Sequence, residues 1–199
     1  MEVVIATQNL DKIKEIKELL EDLKIKIFTF HDFSGFPKIE EGDNLRDNAL
    51  LKARTIAKFT GKISLADDTG LEVKVLGGIP GAFSSRFAGR NASYEDNNRK
   101  LLSLLKGIPW EKRDAIFRCV IAITDPQNRE AVVEGVCEGK IVEDLRGSQG
   151  FGYDPLFQPK GFKKTFAEIS LKEKNRISHR GKALRKAREV LKKWAEDDQ

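Results

Sequence analysis

Apolar and polar positions along the chain follow two periods, and each change of period marks a new element. Residues 2–6 (EVVIA) form a short apolar run suited to a buried strand; beyond TQN, Ile13, Ile16, Leu19 and Leu20 recur at helical spacing and predict a helix over 11–23. Residues 24–30 alternate as a strand does, before a loop through Pro37 to Gly42. Over 44–59 Leu45, Ala49, Ala53 and Ile56 make one apolar stripe, with Gly61 as the stop signal. Two strands are predicted at 62–68 and 71–76, then an ordered Gly-rich connection at 77–89 and a helix from Ser93 to Gly107. Residues 115–123 and 130–142 read as paired strands joined across the turn formers Asp125, Pro126 and Asn128. After Ser178, the positions Ala183, Leu184, Ala187, Val190, Leu191 and Trp194 predict a long amphipathic helix. Strands and helices mixed along the whole length predict an α/β protein with a mixed sheet and helices on its faces. Neither a repeat nor a low-complexity tract interrupts it, so residues 1–199 are expected to act as one domain.

A chain of 199 residues is long enough to bury a substantial core without metal or disulfide support. Cys119 and Cys137 lie in strand-like apolar runs without C-x-x-C spacing, and the histidines are only His31 and His179, which argues against a zinc site and for two buried thiols. No apolar run approaches a membrane span, and the start has no cleavage-site pattern, so a soluble cytoplasmic protein is expected. The net charge of +5 favours anionic partners without deciding between nucleic acid and small phosphate esters.

Polar residues cluster where chemistry is conceivable. TQNLDK, from Thr7 to Lys12, stands at a helix start, where free N–H groups attract phosphate and Lys12 opposes the dipole unless an anion is present; a solvated lysine beside a capping Asn9 or Thr7 is the plain alternative. EEGDN, residues 40–44, leads into the second helix, in which Asn48 and Lys52 stand one turn apart at the border of the apolar stripe; a snorkelling lysine accounts for Lys52 equally well. Asp67 and Asp68 end a strand. Their side chains point to opposite faces, so one suits a Mg²⁺ or proton-transfer role and the other a structural one, unless both merely form a turn. GSQGFGYDPLF joins glycines to Phe151 and Tyr153, a combination that lets backbone approach a ligand while a ring stacks on a planar base or closes the core. Lys174, His179 and Arg180 bracket the start of the last helix, again placing cations where an anion is favoured.

Taken in order, IATQNLDKIKE, EEGDNLRDNALLKA, LADDTGLEVKVLGGIPGAFSSRFAG, GFGYDPLF and SHRGKAL resemble the inosine triphosphate pyrophosphatase family, from about Val3 to Leu184. The resemblance implies a long central mixed sheet with flanking helices and two lobes around a substrate cleft. It also implies a homodimer that hydrolyses ITP, dITP or XTP at the α-phosphorus with Mg²⁺, releasing the monophosphate and pyrophosphate. By the same resemblance Thr7, Gln8, Asn9, Leu10, Asp11 and Lys12 form the phosphate-binding loop. Asp68 is the proton acceptor and a metal ligand, and Glu40, or its neighbour Glu41, is the second metal carboxylate. Lys52 lies near the phosphates with Thr69 beside it, in a position where many members have Ser. Phe151, Gly152, Tyr153 and Asp154 form the base-binding turn, and Lys174, His179 and Arg180 complete the nucleotide contacts. Leu45 and Gln8 replace a commoner Phe and Gly.

Two rival readings remain. A basic nucleic-acid-binding module is suggested by KALRKAREVLKKW, but those cations form the solvent face of an amphipathic helix, and acidic Glu40 and Asp68 would repel a phosphate backbone. No stable nucleic-acid complex is therefore expected. A related nucleotide pyrophosphatase with a different base preference is the nearer rival, because specificity is harder to read than reaction class.

Overall fold

The computed structural model describes residues 1–197. Its elements are β1 (Glu2–Ile5), α1 (Leu10–Leu20), β2 (Lys26–Phe28), α2 (Leu45–Thr60), β3 (Ile63–Val73), β4 (Pro80–Gly81), α3 (Tyr94–Leu104), β5 (Asp114–Thr124), β6 (Glu130–Ile141), β7 (Phe157–Pro159), α4 (Leu171–Ile177) and α5 (His179–Asp197). The strands run in the order β2-β1-β3-β5-β6-β7, with β4 paired to β3. β1 is parallel to β2 and β3, whereas β3–β4 and β6–β7 are antiparallel, which makes the mixed α/β sheet that the alternating periods predict.

Helix boundaries follow local chemistry. The Asn9 side chain caps α1 by accepting from the Asp11 and Lys12 amides, and Asn44 caps α2 through Arg46 and Asp47. Ser93 and Asp96 form a reciprocal capping box at the start of α3. Gly61 ends α2 in the left-handed region at φ 64°, where its N–H donates to the Ala57 carbonyl.

The chain divides into two compact units. One comprises residues 1–68, 119–135 and the segment from Arg180 onward; the other comprises Thr69–Arg118 and Val136–His179. β3, β5 and β6 are each shared, since a unit boundary falls within every one of them. Val3, Ile5, Ile16, Leu65, Ile121 and Leu191 are among the fully buried residues in the core of the first unit. The second is packed by Leu71, Leu101, Leu105, Leu156, Phe157 and Phe166. Each such side chain contributes on the order of 1.5–3 kcal/mol by leaving water. Cys119 and Cys137 are both buried, in agreement with the sequence reading.

The structure differs from the predicted elements at several places. Residues 62–68 and 71–76 do not form two strands: Thr69 and Gly70 stay extended and join them into the single strand β3. Gly70 permits this by closeness rather than by turning, because a Cβ there would lie 2.6 Å from the Gly81 carbonyl oxygen on β4. α1 and α3 end at Leu20 and Leu104, short of residues 23 and 107. α4, β4 and β7, with seven, two and three residues, are too short to show a period. Gly70→Ala is expected to lower the unfolding free energy by about 1–3 kcal/mol, read by urea denaturation, because the methyl must displace backbone.

Candidate active site

In the first unit, charged side chains gather around the middle of β3. Lys52, one turn beyond Asn48 on α2, donates to Asp68 Oδ1 at 2.9 Å, to the Asp67 carbonyl at 2.7 Å and to Glu41 Oε1 at 2.6 Å. Asn48 donates to Asp68 Oδ2 at 2.9 Å, while its Oδ1 accepts from the Gly42 amide at 2.7 Å. One helix therefore fixes the carboxylate and also the loop that carries Glu41. Burial works against the charge on Lys52, but Asp68, Glu41 and Asp67 outweigh it and raise its pKa. Asp68 is pushed up by burial and by Glu41, against the pull of Lys52 and Lys12. A carboxylate raised in this way, yet hydrogen-bonded at both oxygens, is suited to accepting a proton.

Asp67 faces different partners. Lys12 Nζ lies 3.1 Å from its Oδ2, and the Nε and Nη2 atoms of Arg180 each donate to that oxygen at 3.2 Å. Arg180 Nη1 also donates to Glu15 Oε2 at 2.5 Å. Burial would raise the Asp67 pKa, but Lys12, Arg180 and Lys52 hold it well below the usual carboxylate range. The two neighbouring aspartates thus draw on different cations, as the alternation of side chains along a strand predicts.

In the second unit, the 150–154 turn is organised by one carboxylate. Asp154 Oδ2 accepts from the Phe151 amide at 2.9 Å and from Lys174 Nζ at 2.5 Å. Gly150, at φ 71°, is required here, since a Cβ would lie 2.0 Å from that same oxygen. The Lys174 ammonium stands over the half-buried Phe151 ring at 4.8 Å, a cation–π contact. Asn98 of α3 donates to the Gly152 carbonyl at 2.9 Å and braces the turn. The His179 ring is buried and stacked on Phe117, with centroids 4.4 Å apart and planes 12° apart.

This pattern of charges and turns extends over almost the whole chain, and residues 3–190 match the model of the Ham1 family. The chain belongs to the Ham1 family. A protein of Desulforamulus reducens named dITP/XTP pyrophosphatase is 52% identical over 192 residues, covering 96% of each chain. One of the same name from Caldanaerobacter subterraneus subsp. tengcongensis is 48% identical over 200 residues and covers all of both. The solved structure of a HAM1 protein from Coxiella burnetii superposes with a TM-score of 0.87 at 44% identity, covering 97% of this chain and 99% of that one. The Staphylococcus aureus Ham1 protein gives 0.83 at 36% identity, with both chains covered fully.

In this Ham1 chain the predicted residues fall into groups. Asp68, Lys52 and Lys12 meet at β3, with Thr69 half-buried next in the strand. Thr7 and Asn9 shape the turn into α1: Thr7 Oγ1 accepts from the Asn9 amide, and Gln8, Leu10 and Asp11 are exposed along it. Phe151, Gly152, Asp154 and Lys174 assemble in the second unit, whereas Tyr153 is a core residue whose hydroxyl donates to the Ser84 carbonyl at 2.8 Å. Of the two glutamates left open by the sequence, Glu41 is the one paired with Lys52; Glu40 is exposed. Arg180 is turned toward Glu15 and Asp67 and is 2% exposed.

Sequence reasoning missed Glu15 and Asn98. Both sit on amphipathic helices at positions that read as polar borders, and only Glu15's place one turn beyond Lys12 hints at a shared face. The donor set is of a type a hard cation accepts, since Glu41 and Asp68 direct two carboxylates at one ammonium. Lys174→Met, which strands the buried Asp154 carboxylate, is expected to destabilise the protein by about 3–5 kcal/mol in urea unfolding, with part of the loss recovered when Asp154→Asn is added.

Proposed function

We propose that this chain hydrolyses non-canonical purine nucleoside triphosphates, dITP, XTP and ITP, to the monophosphate and pyrophosphate, keeping such nucleotides out of nucleic acid. The observation that carries this is the Asp68–Lys52–Glu41 cluster on a chain whose full-length relatives are named dITP/XTP pyrophosphatases. The phosphates are assigned to the first unit. Lys12 and Lys52 neutralise their charge, the Thr7–Lys12 turn lies along them, and Asp68 takes the proton from the water that attacks the α-phosphorus. Glu41 and Asp68 would hold Mg²⁺, which when bound supplies further charge neutralisation at the phosphate oxygens. On this reading the second metal carboxylate is Glu41 rather than Glu40, supported by the pairing of Glu41 with Lys52.

The base is assigned to the second unit. Phe151 offers a stacking face, the Asp154 carboxylate fixes the turn, and Lys174 and His179 provide donors for the carbonyl at purine position 6, where adenine would instead present an amino group. The likeness to inosine triphosphate pyrophosphatases supports a homodimer acting in the cytoplasm, with residues 1–199 serving as one catalytic domain. A nucleic-acid-binding role gains no support from α5, where Arg188 is paired with Asp22 and Lys186 donates to the Glu134 carbonyl.

The test is pyrophosphate release from ITP, XTP, dITP, GTP and ATP, with Mg²⁺ and with EDTA. Rapid release is expected from the non-canonical purines, with little from ATP or GTP and none in EDTA. Asp68→Asn should retain the fold and nearly abolish turnover. Preferential release from a modified pyrimidine would move the assignment to a different base, and release from none would refute the function.

A further inference from the structure

The charged side chains Lys12, Asp67, Arg180 and Glu15 alternate in sign from the first turn of α1 into the interior of the first unit. Burial deepens along this chain. Lys12 keeps 16% of its side chain exposed, whereas Asp67, Arg180 and Glu15 have 0%, 2% and 3%. Three fully desolvated charges are costly to keep, and an apolar trio of similar volume would stabilise the unit as well or better. Their arrangement does have one outlet: the only member with appreciable exposure is the lysine at the phosphate-binding turn.

We infer that Asp67, anchored by Arg180 and Glu15, is a positioning residue that fixes the Lys12 ammonium where it meets the substrate's phosphates. Lys12 has a long flexible stem. It starts in the first turn of α1, where the helix dipole repels a cation and the Asn9 side chain already occupies its own amide and that of Asp11. Asp67 offsets that repulsion from the strand side. Arg180 holds the Asp67 carboxylate in orientation through paired Nε and Nη2 donors, and Glu15, one turn along from Lys12, orients Arg180 in turn. Arg180 then acts on the phosphates through Asp67 and Lys12, a different task from direct contact with the base. Asp67 makes no contact with substrate and differs in this from Asp68 beside it.

The kinetic arm of the test rests on the proposed hydrolysis, so a second arm is independent of turnover. In the first, kcat/KM for ITP is measured for Asp67→Asn, Lys12→Met and the double variant, with thermal melting as a check of folding. Asp67→Asn should lose about tenfold or more in the wild-type background, mostly as a rise in KM, but less than about twofold in the Lys12→Met background. Equal losses in both backgrounds would overturn the inference, because a merely structural residue acts whether or not the lysine is present. Should Asp67→Asn fail to melt cooperatively, Glu15→Gln takes its place in the same cycle. In the second arm, an amine-selective reagent is applied and labelling of Lys12 is followed by peptide mass spectrometry. The rate should rise severalfold in Asp67→Asn. An unchanged rate refutes the positioning role, even if the wild-type protein hydrolyses no nucleotide.

Discussion

Consecutive carboxylates buried at the middle of a central strand are the constraint around which the first unit is built. Asp67 is 1% and Asp68 5% exposed, and neither charge could persist there without cations delivered from elsewhere. Three helices make the delivery. α1 supplies Lys12 in its first turn, α2 supplies Lys52 together with the Asn48 amide, and α5 supplies Arg180 one residue after its start. Because strand side chains alternate, the two aspartates draw on different cations: Lys12 and Arg180 hold the Asp67 carboxylate, and Lys52 holds that of Asp68. The lysine on α2 links the two by also taking the Asp67 carbonyl.

Such pairing contributes little net stability, since desolvation offsets most of the Coulombic gain. What it provides is placement. Asp68 is held at both oxygens, and the loop bearing Glu41 is tied to the same Asn48 and Lys52, so two carboxylates and a cation are in position before any ligand arrives. Preorganisation of this kind is what electrostatic catalysis at a phosphoanhydride requires, because the charges need not reorient as the reaction proceeds. The second unit uses the same device on a smaller scale, with Asp154 organising both the Phe151 amide and Lys174.

Much of this was legible in the sequence, and the remainder was hidden for identifiable reasons. Long periodic runs such as those of α2 and α5 announce themselves through burial of one face, and the capping residues Asn44 and Ser93 mark helix starts chemically. The continuity of β3 was not visible, because Thr69 and Gly70 look like a break until β4 is seen to demand a residue without a side chain. Glu41 and Glu40 are indistinguishable by type, and only the reach of Lys52 separates them. Glu15 and Arg180 lie 165 residues apart in sequence, so a pairing between them leaves no local trace.

The central claim is that this charge cluster directs water to the α-phosphorus with Asp68 as proton acceptor. Hydrolysis of ITP in ¹⁸O-labelled water, followed by ³¹P NMR or mass spectrometry of the products, tests it directly. The account predicts that the label enters the inosine monophosphate and is absent from pyrophosphate. Label recovered in pyrophosphate, or in released orthophosphate, would place the attack at another phosphorus and contradict the account.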